Sequence, residues 1–430
     1  MKSPISESVS SKLRALQIVH NHPSIRPGGA EIHARQLFLA LQQAGDVDSY
    51  LLARSGPPQS NQVPYREGTL TAAVNASDRE FFFYTGENYD YFIGTTSWKE
   101  QLTTYFAAFL RDLSPNVVHF HHTLYLGYDS IRMARLTLPT AAIIFTLHDY
   151  GPICHRDGQL LRTNNRERCL TSDSRKCNEC FPNFSPQDFF LRQLFIKSNF
   201  KYVDRFIAPS SFARDRYIQW GLEAQRITVE ECGSPNVKVP AKRPQDFRRF
   251  GFFGQISAYK GVNVLLEAFE LLAFDQVDAN LMIFGANLDL AAPSFQSRVT
   301  ELLERNRRRV IFCDTYSHET VMEHMGMVDW VVVPSVWWEN SPLVIQEAFS
   351  AGRPIICSGI GALAEKIRNG IDGLHVEPSS PRALADVIKH CSGNSELWNR
   401  LSSAITPRYM MTESASRMTG IYHDVLATKL

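Results

Sequence analysis

The sequence predicts an α/β protein of two doubly wound domains, each a parallel sheet with helices on its faces. Three observations carry this. The chain has 430 residues, too many for one typical core and suited to two domains of about 200 residues each. Short apolar runs ending in loop residues alternate with helical patterns along the whole length, the order expected of parallel sheets. A composition of 44% hydrophobic and 21% charged residues is that of an ordinary soluble protein able to bury two cores.

Other function classes fall away on bulk numbers. A formal net charge of +1 argues against a dedicated nucleic-acid binder, leaving only local basic patches. The start, MKSPISESVSSK, has no apolar centre, and no run approaches 18 apolar residues, so the chain is expected in the cytoplasm. In that compartment eight cysteines point to metal ligation or buried thiols rather than a disulfide scaffold.

Residues 13 to 20 read as the first strand. RPGGAE, residues 26 to 31, then opens a helical pattern through Ile32, Leu37, Ala40 and Leu41 that stops at Gly45. Gly28 and Gly29 let the backbone approach a ligand closely, although the loop is not the Gly-x-Gly-x-x-Gly dinucleotide fingerprint. Residues 55 to 100 lack regular periodicity but hold Phe81, Phe82, Phe83, Tyr84, Tyr89, Tyr91, Phe92 and Trp98. These aromatics either fill a satellite of the core or form a platform that stacks on sugars.

Residues 116 to 122 read as a strand running into a loop. Only His119 and His121 share a face there, which favours packing and hydrogen bonding over a metal role for this histidine group. Residues 141 to 147 are a buried strand, and His148 follows at its carboxyl end, where doubly wound sheets bind ligands.

Cys154, Cys169, Cys177 and Cys180 then gather within 27 residues. They either close a tetrahedral structural zinc site that fixes an irregular loop, or stand as separate reduced thiols; one C-x-x-C leaves both open. Arginines and a lysine in the same loop are either solvated or placed to meet a phosphate-bearing acceptor. The helix at 187 to 201 mixes Phe189, Phe190, Leu194, Phe195 and Ile196 with Arg192, Lys197 and Lys201, a pattern of core packing or of membrane-surface docking. A linker follows at 233 to 246.

The second domain opens with a strand at 249 to 253. Beyond it, Gln255 offers a neutral donor and Lys260 a charge that can neutralise a diphosphate. Further strands follow at 281 to 285, 310 to 312, 330 to 335 and 354 to 357. After the fourth of these five strands, Ser341 reads as an N-cap, Pro342 as the first helical residue and Gly352 as the stop. The free N–H groups around Leu343 suit an anion. Glu339 sits in the loop, while Glu347 lies on a mostly apolar helix and needs donors, supplied by ligand hydroxyls or by a nearby cation.

Glu339 and Glu347, followed by Ala348-Phe349 and Gly352-Arg353-Pro354, resemble the paired-glutamate signature of the family-4 retaining glycosyltransferases. Other landmarks recur in order from Gly28-Gly29 to the last helix. The resemblance implies the GT-B fold: an N-terminal acceptor-side domain at 1 to 237, with a helix at about 412 to 430 packing back on it, and a nucleotide-sugar-binding domain at 247 to 408. It implies transfer of a hexose from a nucleoside diphosphate sugar to a hydroxyl acceptor on a glycan, a lipid-linked carrier or a small molecule, with no cofactor in the chemistry and with peripheral contact to the inner membrane face. His148, Glu339 and Lys260 would be catalytic. Gly28, Gly29, Gln255, Lys260, Tyr316, Ser341, Pro342, Leu343 and Glu347 would bind donor, with residues 314 to 316 near the base. Two departures stand out: Gln255 replaces an arginine, and Glu231-Cys232-Gly233 replaces an Asn-Gly hinge. The first leaves a non-catalytic nucleotide-sugar-binding or scaffold protein as the alternative; a GT-B epimerase or phosphorylase is a third reading, with no cofactor-lysine signature to support a phosphorylase.

Overall fold

The computed structural model describes residues 12–58, 65–72, 78–96, 99–234, 246–313, 315–316, 320–406 and 409–429. Trp98, Asp314 and most of the linker, all part of the sequence expectations, lie outside these residues. The first sheet contains β1 (Leu13–Val19), β2 (Val47–Ser55), β3 (Leu70–Ala72), β4 (Glu80–Tyr84), β5 (Val117–Phe120), β6 (Ala142–Thr146), β7 (Arg205–Ala208) and β8 (Ile227–Val229). Its order is β3-β4-β2-β1-β5-β6-β7-β8. Only β3 runs antiparallel, against β4. The second sheet contains β9 (Arg249–Gln255), β10 (Asn280–Ala286), β11 (Val310–Phe312), β12 (Trp330–Val333), β13 (Ile355–Ser358) and β14 (Gly373–Val376). Its order is β11-β10-β9-β12-β13-β14. Both orders reverse beside the first strand of the domain, so the β1–β5 and β9–β12 crevices open at the strands' carboxyl ends, where ligands bind in such sheets.

Each sheet is covered on both faces. Leu16, Ile18, Val118, Phe120, Ile143, Phe145 and Phe206 point into one cluster with the helices that follow β4 and β6. Ala15, Val117, Ala142 and Ile144 point the other way. There they meet Met411, Ala415, Met418, Tyr422 and Val425 of the C-terminal helix Met411–Ala427. The last helix of the chain therefore completes the first domain.

β4 departs from expectation. Its sequence, EFFFY, is a continuous aromatic run rather than an alternating one, so periodicity did not reveal it. Phe83 is buried in the core, whereas Phe82, Tyr89 and Tyr91 line the interdomain cleft, so the aromatic segment contributes both to the core and to the cleft wall. The Pro186–Phe200 helix divides similarly. Arg192 is buried and donates to the carbonyls of Phe92, Pro152 and Gly151 at 2.8, 2.9 and 2.6 Å, while Phe190, Leu191 and Leu194 are 60, 53 and 54% exposed.

The unusual hinge residues each have a partner. Glu231 accepts a hydrogen bond from Gln346 at 2.7 Å and pairs with Lys366. A Cβ on Gly233 would lie 2.6 Å from Met411 Cα, so the C-terminal helix can enter only over glycine. Gly233→Ala is therefore expected to destabilise the protein by about 1–3 kcal/mol, measured as a lower denaturant midpoint; an unchanged midpoint would show that the helix can yield.

Candidate functional site

Every residue expected at the donor or catalytic site lines one cleft between the two sheets, with a volume of about 1930 Å³. Gly28, Gly29 and His148 stand on the wall of the first domain. Gln255, Lys260, Tyr316, Glu339, Ser341, Pro342, Leu343 and Glu347 stand on the wall of the second. Cys154 also reaches the cleft, unlike the other three insert cysteines.

Glu339 is 4% exposed and cannot remain charged there without donors. Its Oε1 receives them from Lys260 Nζ at 2.7 Å, Ser335 Oγ at 2.6 Å and Trp337 Nε1 at 2.8 Å. Gly261, at φ 74°, follows Lys260 and packs where any Cβ would overlap the Pro334 carbonyl, which brings the two loops together. Lys260 and Glu339 thus satisfy each other rather than pointing separately at a ligand. Gln255 is held by the Tyr259 hydroxyl, which donates to its Oε1 at 3.0 Å.

The helix after Glu339 begins one residue later than expected. Its span is Leu343–Ser350 with Pro342 at the N-cap and no side-chain cap. Ser341 does not serve as the cap and instead lines the cleft. The amides at the helix start are consequently uncapped by any side chain and face the cleft. Glu347 is 8% exposed, and its charge adds to burial in raising the pKa of Tyr316, which lines the same cleft. Gly352, at φ 67°, follows the helix in the left-handed conformation expected of it.

On the opposite wall a hydrogen-bond chain reaches His148. Gln17 Nε2 donates to Tyr422 Oη at 3.2 Å, leaving Gln17 Oε1 to accept from His121 Nε2 at 2.9 Å. His121 Nδ1 then accepts from His148 Nε2 at 3.0 Å, so the free lone pair of His148 is on Nδ1. Burial, followed by the charges of neighbouring histidines, holds His148 well below the usual imidazole range. His119 lies beside this chain between Tyr422 and Thr146, at 2.9 and 2.7 Å. These histidines pack and hydrogen-bond, as expected.

Two further pairs escaped sequence reading. His122 contacts Asp149 at 2.6 Å, and His20 contacts Glu31 at 2.9 Å. Burial alone would lower His122, but Asp149 raises it above the ordinary value; Asp149 in turn is held low by His122 and the Gly151 N–H against its burial. Gly28 makes room for Glu31, whose carboxylate would lie 2.5 Å from an added Cβ. His20 and His122, each just beyond a strand end, were the available signal, but nothing along the chain pointed to their partners.

Among the described residues, His33, His148 and Cys232 bring ligand atoms within 4.8 Å of one another. The four insert cysteines are free thiols, no three of which bring their sulfurs this close.

Residues 27–233 match the family described as Glycosyltransferase Family 4, and residues 247–394 match Glycosyl transferases group 1. The chain belongs to the family-4 glycosyltransferases. It is 25% identical over 178 residues to the alpha-D-kanosaminyltransferase of Streptomyces kanamyceticus, covering 40% of this chain and 45% of that one. It is 27% identical over 235 residues to the lipopolysaccharide 1,2-N-acetylglucosaminetransferase of Salmonella typhimurium, covering 50% and 60%. The chain spans about half the length of these curated relatives. A glycogen synthase of Mycobacterium tuberculosis is 24% identical over 389 residues, covering 88% and 85%. Among solved structures, sucrose-phosphate synthase from Thermosynechococcus elongatus has a TM-score of 0.68 at 18% identity, covering 96% of this chain and 100% of that one. Anabaena Alr3699/HepE in complex with UDP and glucose has a TM-score of 0.64 at 16% identity, with the same coverage. The fold of this glycosyltransferase is GT-B.

The buried rings make the protein acid-sensitive. Burial pushes His33 down to about 4 and, with help from His33, His119 to about 3. The folded state keeps both neutral while the unfolded chain protonates them below about 6.5, so stability is full above that pH and falls as pH drops toward 4. His33 alone is expected to cost ~2 kcal/mol at about pH 5. Denaturant unfolding at about pH 7.5 and about pH 5 measures this; equal stabilities would contradict the neutral, buried rings.

Proposed function

We propose that this glycosyltransferase moves a hexose from a nucleoside diphosphate sugar to a hydroxyl acceptor, with retention at the anomeric carbon. One observation carries the reading. Lys260, Glu339, Glu347 and the uncapped helix start on one wall share a single cleft with the Gly28-Gly29 loop and His148 on the other. The Anabaena protein of the same fold binds UDP and UDP-glucose, which supports a nucleotide-sugar donor here.

Departure of the diphosphate is the demanding step, because negative charge grows on the leaving oxygen. Lys260, the amides beginning at Leu343 and the backbone at Gly28-Gly29 would stabilise it. When a phosphate takes over Lys260, Glu339 loses its cation and becomes free to accept from sugar hydroxyls. Glu347 would hold the ribose hydroxyls beside Tyr316. His148, neutral and held by His121, would orient the sugar for attack from the leaving-group face. The exposed Phe190, Leu191 and Leu194 favour a peripheral membrane surface near the acceptor side, and among the described residues no helix is long and apolar enough to cross a membrane.

The scaffold alternative rested on the missing arginine at Gln255. It is disfavoured because Lys260, Glu339, Glu347 and His148 converge on one cleft. Incubation with a panel of nucleoside diphosphate sugars should release nucleoside diphosphate with at least one of them, faster with acceptor than without. A folded protein that binds these donors and turns none over would favour the scaffold reading. Glu347→Ala should weaken nucleotide binding by about 1.5–3 kcal/mol, the range for hydrogen bonds to a charged group; unchanged calorimetric affinity in a folded variant would remove Glu347 from the ribose.

A further inference from the structure

Between β6 and the Pro186–Phe200 helix lies an insert with little regular structure. Its elements are one antiparallel bridge, Leu161 with Arg168, and the short helix Ser174–Cys180. Its Ile153 and Leu160 are buried in the first domain's core, and its three turns are tied together. Cys169 N donates to Leu160 O at 2.7 Å, closing a hairpin. The Cys154 turn joins the hairpin through Arg156, which donates to Leu161 O at 2.7 Å. The helix joins it through Thr163, donating to Cys180 O at 3.3 Å, and through the Arg162–Glu179 pair.

These ties place all four cysteines of the insert on one small body. Cys177 and Cys180 are three residues apart on one helical turn and share a face, while Cys154 and Cys169 both pack against the first domain's core. All four are partly buried free thiols.

The insert also grips the other domain. Trp338 Nε1 donates to Cys169 O at 2.8 Å, and the Arg168 guanidinium lies over the Trp338 ring at 5.3 Å. Trp338 is the residue before Glu339.

We propose that Cys154, Cys169, Cys177 and Cys180 bind one zinc ion, and that this structural site fixes the insert so that Cys169 and Arg168 hold Trp338 beside the Glu339–Lys260 pair. The four thiols release their protons to solvent and bind as thiolates. Zn–S bonds of about 2.3 Å would hold the sulfurs about 3.8 Å from one another, closer than any three of them stand without the ion. With four sulfur ligands no position is left for water, so the ion is structural. The grip on Trp338 bears on donor binding only if the proposed nucleotide site is correct; the metal site itself does not depend on that reading.

Elemental analysis of the full chain, purified under reducing conditions from zinc-supplied cells, should find about one equivalent of zinc. The double variant Cys177→Ser, Cys180→Ser should retain less than roughly a tenth of it, while Cys232→Ser should retain it all. Removal by chelator should increase limited proteolysis within residues 154 to 180 and shift the emission of Trp338, judged against a Trp338→Phe control. Cobalt added to the stripped protein should give the charge-transfer absorption of a tetrahedral thiolate site. A folded wild-type chain that carries no zinc and takes up no cobalt overturns the site. Loss of metal in Cys232→Ser but not in the double variant moves the ion to the cleft and overturns it equally. Zinc bound at the four cysteines with Trp338 emission unchanged on its removal would sink the grip. Absence of nucleotide binding in a zinc-loaded protein would count against the donor reading alone.

Discussion

A single buried carboxylate organises the centre of this molecule. Glu339 lies in the loop after β12 with its charge almost wholly removed from water, a situation that costs several kcal/mol unless donors surround it. Lys260 comes from the loop after β9, Ser335 from the end of β12 and Trp337 from the Glu339 loop itself. Meeting the needs of that one group fixes the path of residues 335 to 341. The same path sends Trp338 to the Cys169 carbonyl and Asn340 to the Leu147 carbonyl, at 2.8 and 2.6 Å, across to the first domain. An electrostatic requirement inside one domain therefore determines how the two domains meet.

The second domain answers elsewhere along the interface. Glu365 accepts from the backbone N–H groups of Ser211 and Phe212, both at 2.8 Å, at the start of the Ser211–Trp220 helix. A carboxylate at a helix N-terminus is favoured by the helix dipole. The Glu231 contacts to Gln346 and Lys366 add a third tie.

On the first wall, the chain from Tyr422 through Gln17 and His121 to His148 makes the C-terminal helix part of the site. Tyr422, Gln17 and His121 are buried, His148 is half-buried at the cleft, and all four are hydrogen-bonded, whereas the ring nitrogens of neighbouring His33 have no partner. Such networks hold side chains in one orientation because any member left alone would bear its full desolvation cost. Here that orientation leaves Nδ1 of His148 as the free lone pair.

Much of this was legible in advance because doubly wound sheets place ligand groups just past strand ends. His148 after β6, Lys260 after β9 and Glu339 after β12 are visible for that reason, and the glycines after β1 for the same one. β4 was hidden by its unbroken aromatic run. His122 with Asp149, and His20 with Glu31, were hidden because neither partner announces the other along the chain.

What the sequence determined by itself was the alternation of strands and helices, the two domains and the loops that carry chemistry, since these follow from local periodicity and turn residues. Only the tertiary structure decided the pairing of polar groups. Lys260 is spent on Glu339 rather than left free, the helix after Glu339 starts without a side-chain cap, and Gly233 is required by a helix that begins almost 180 residues later. Which buried donor meets which acceptor is a matter of three-dimensional proximity and desolvation, and neither is encoded in local pattern.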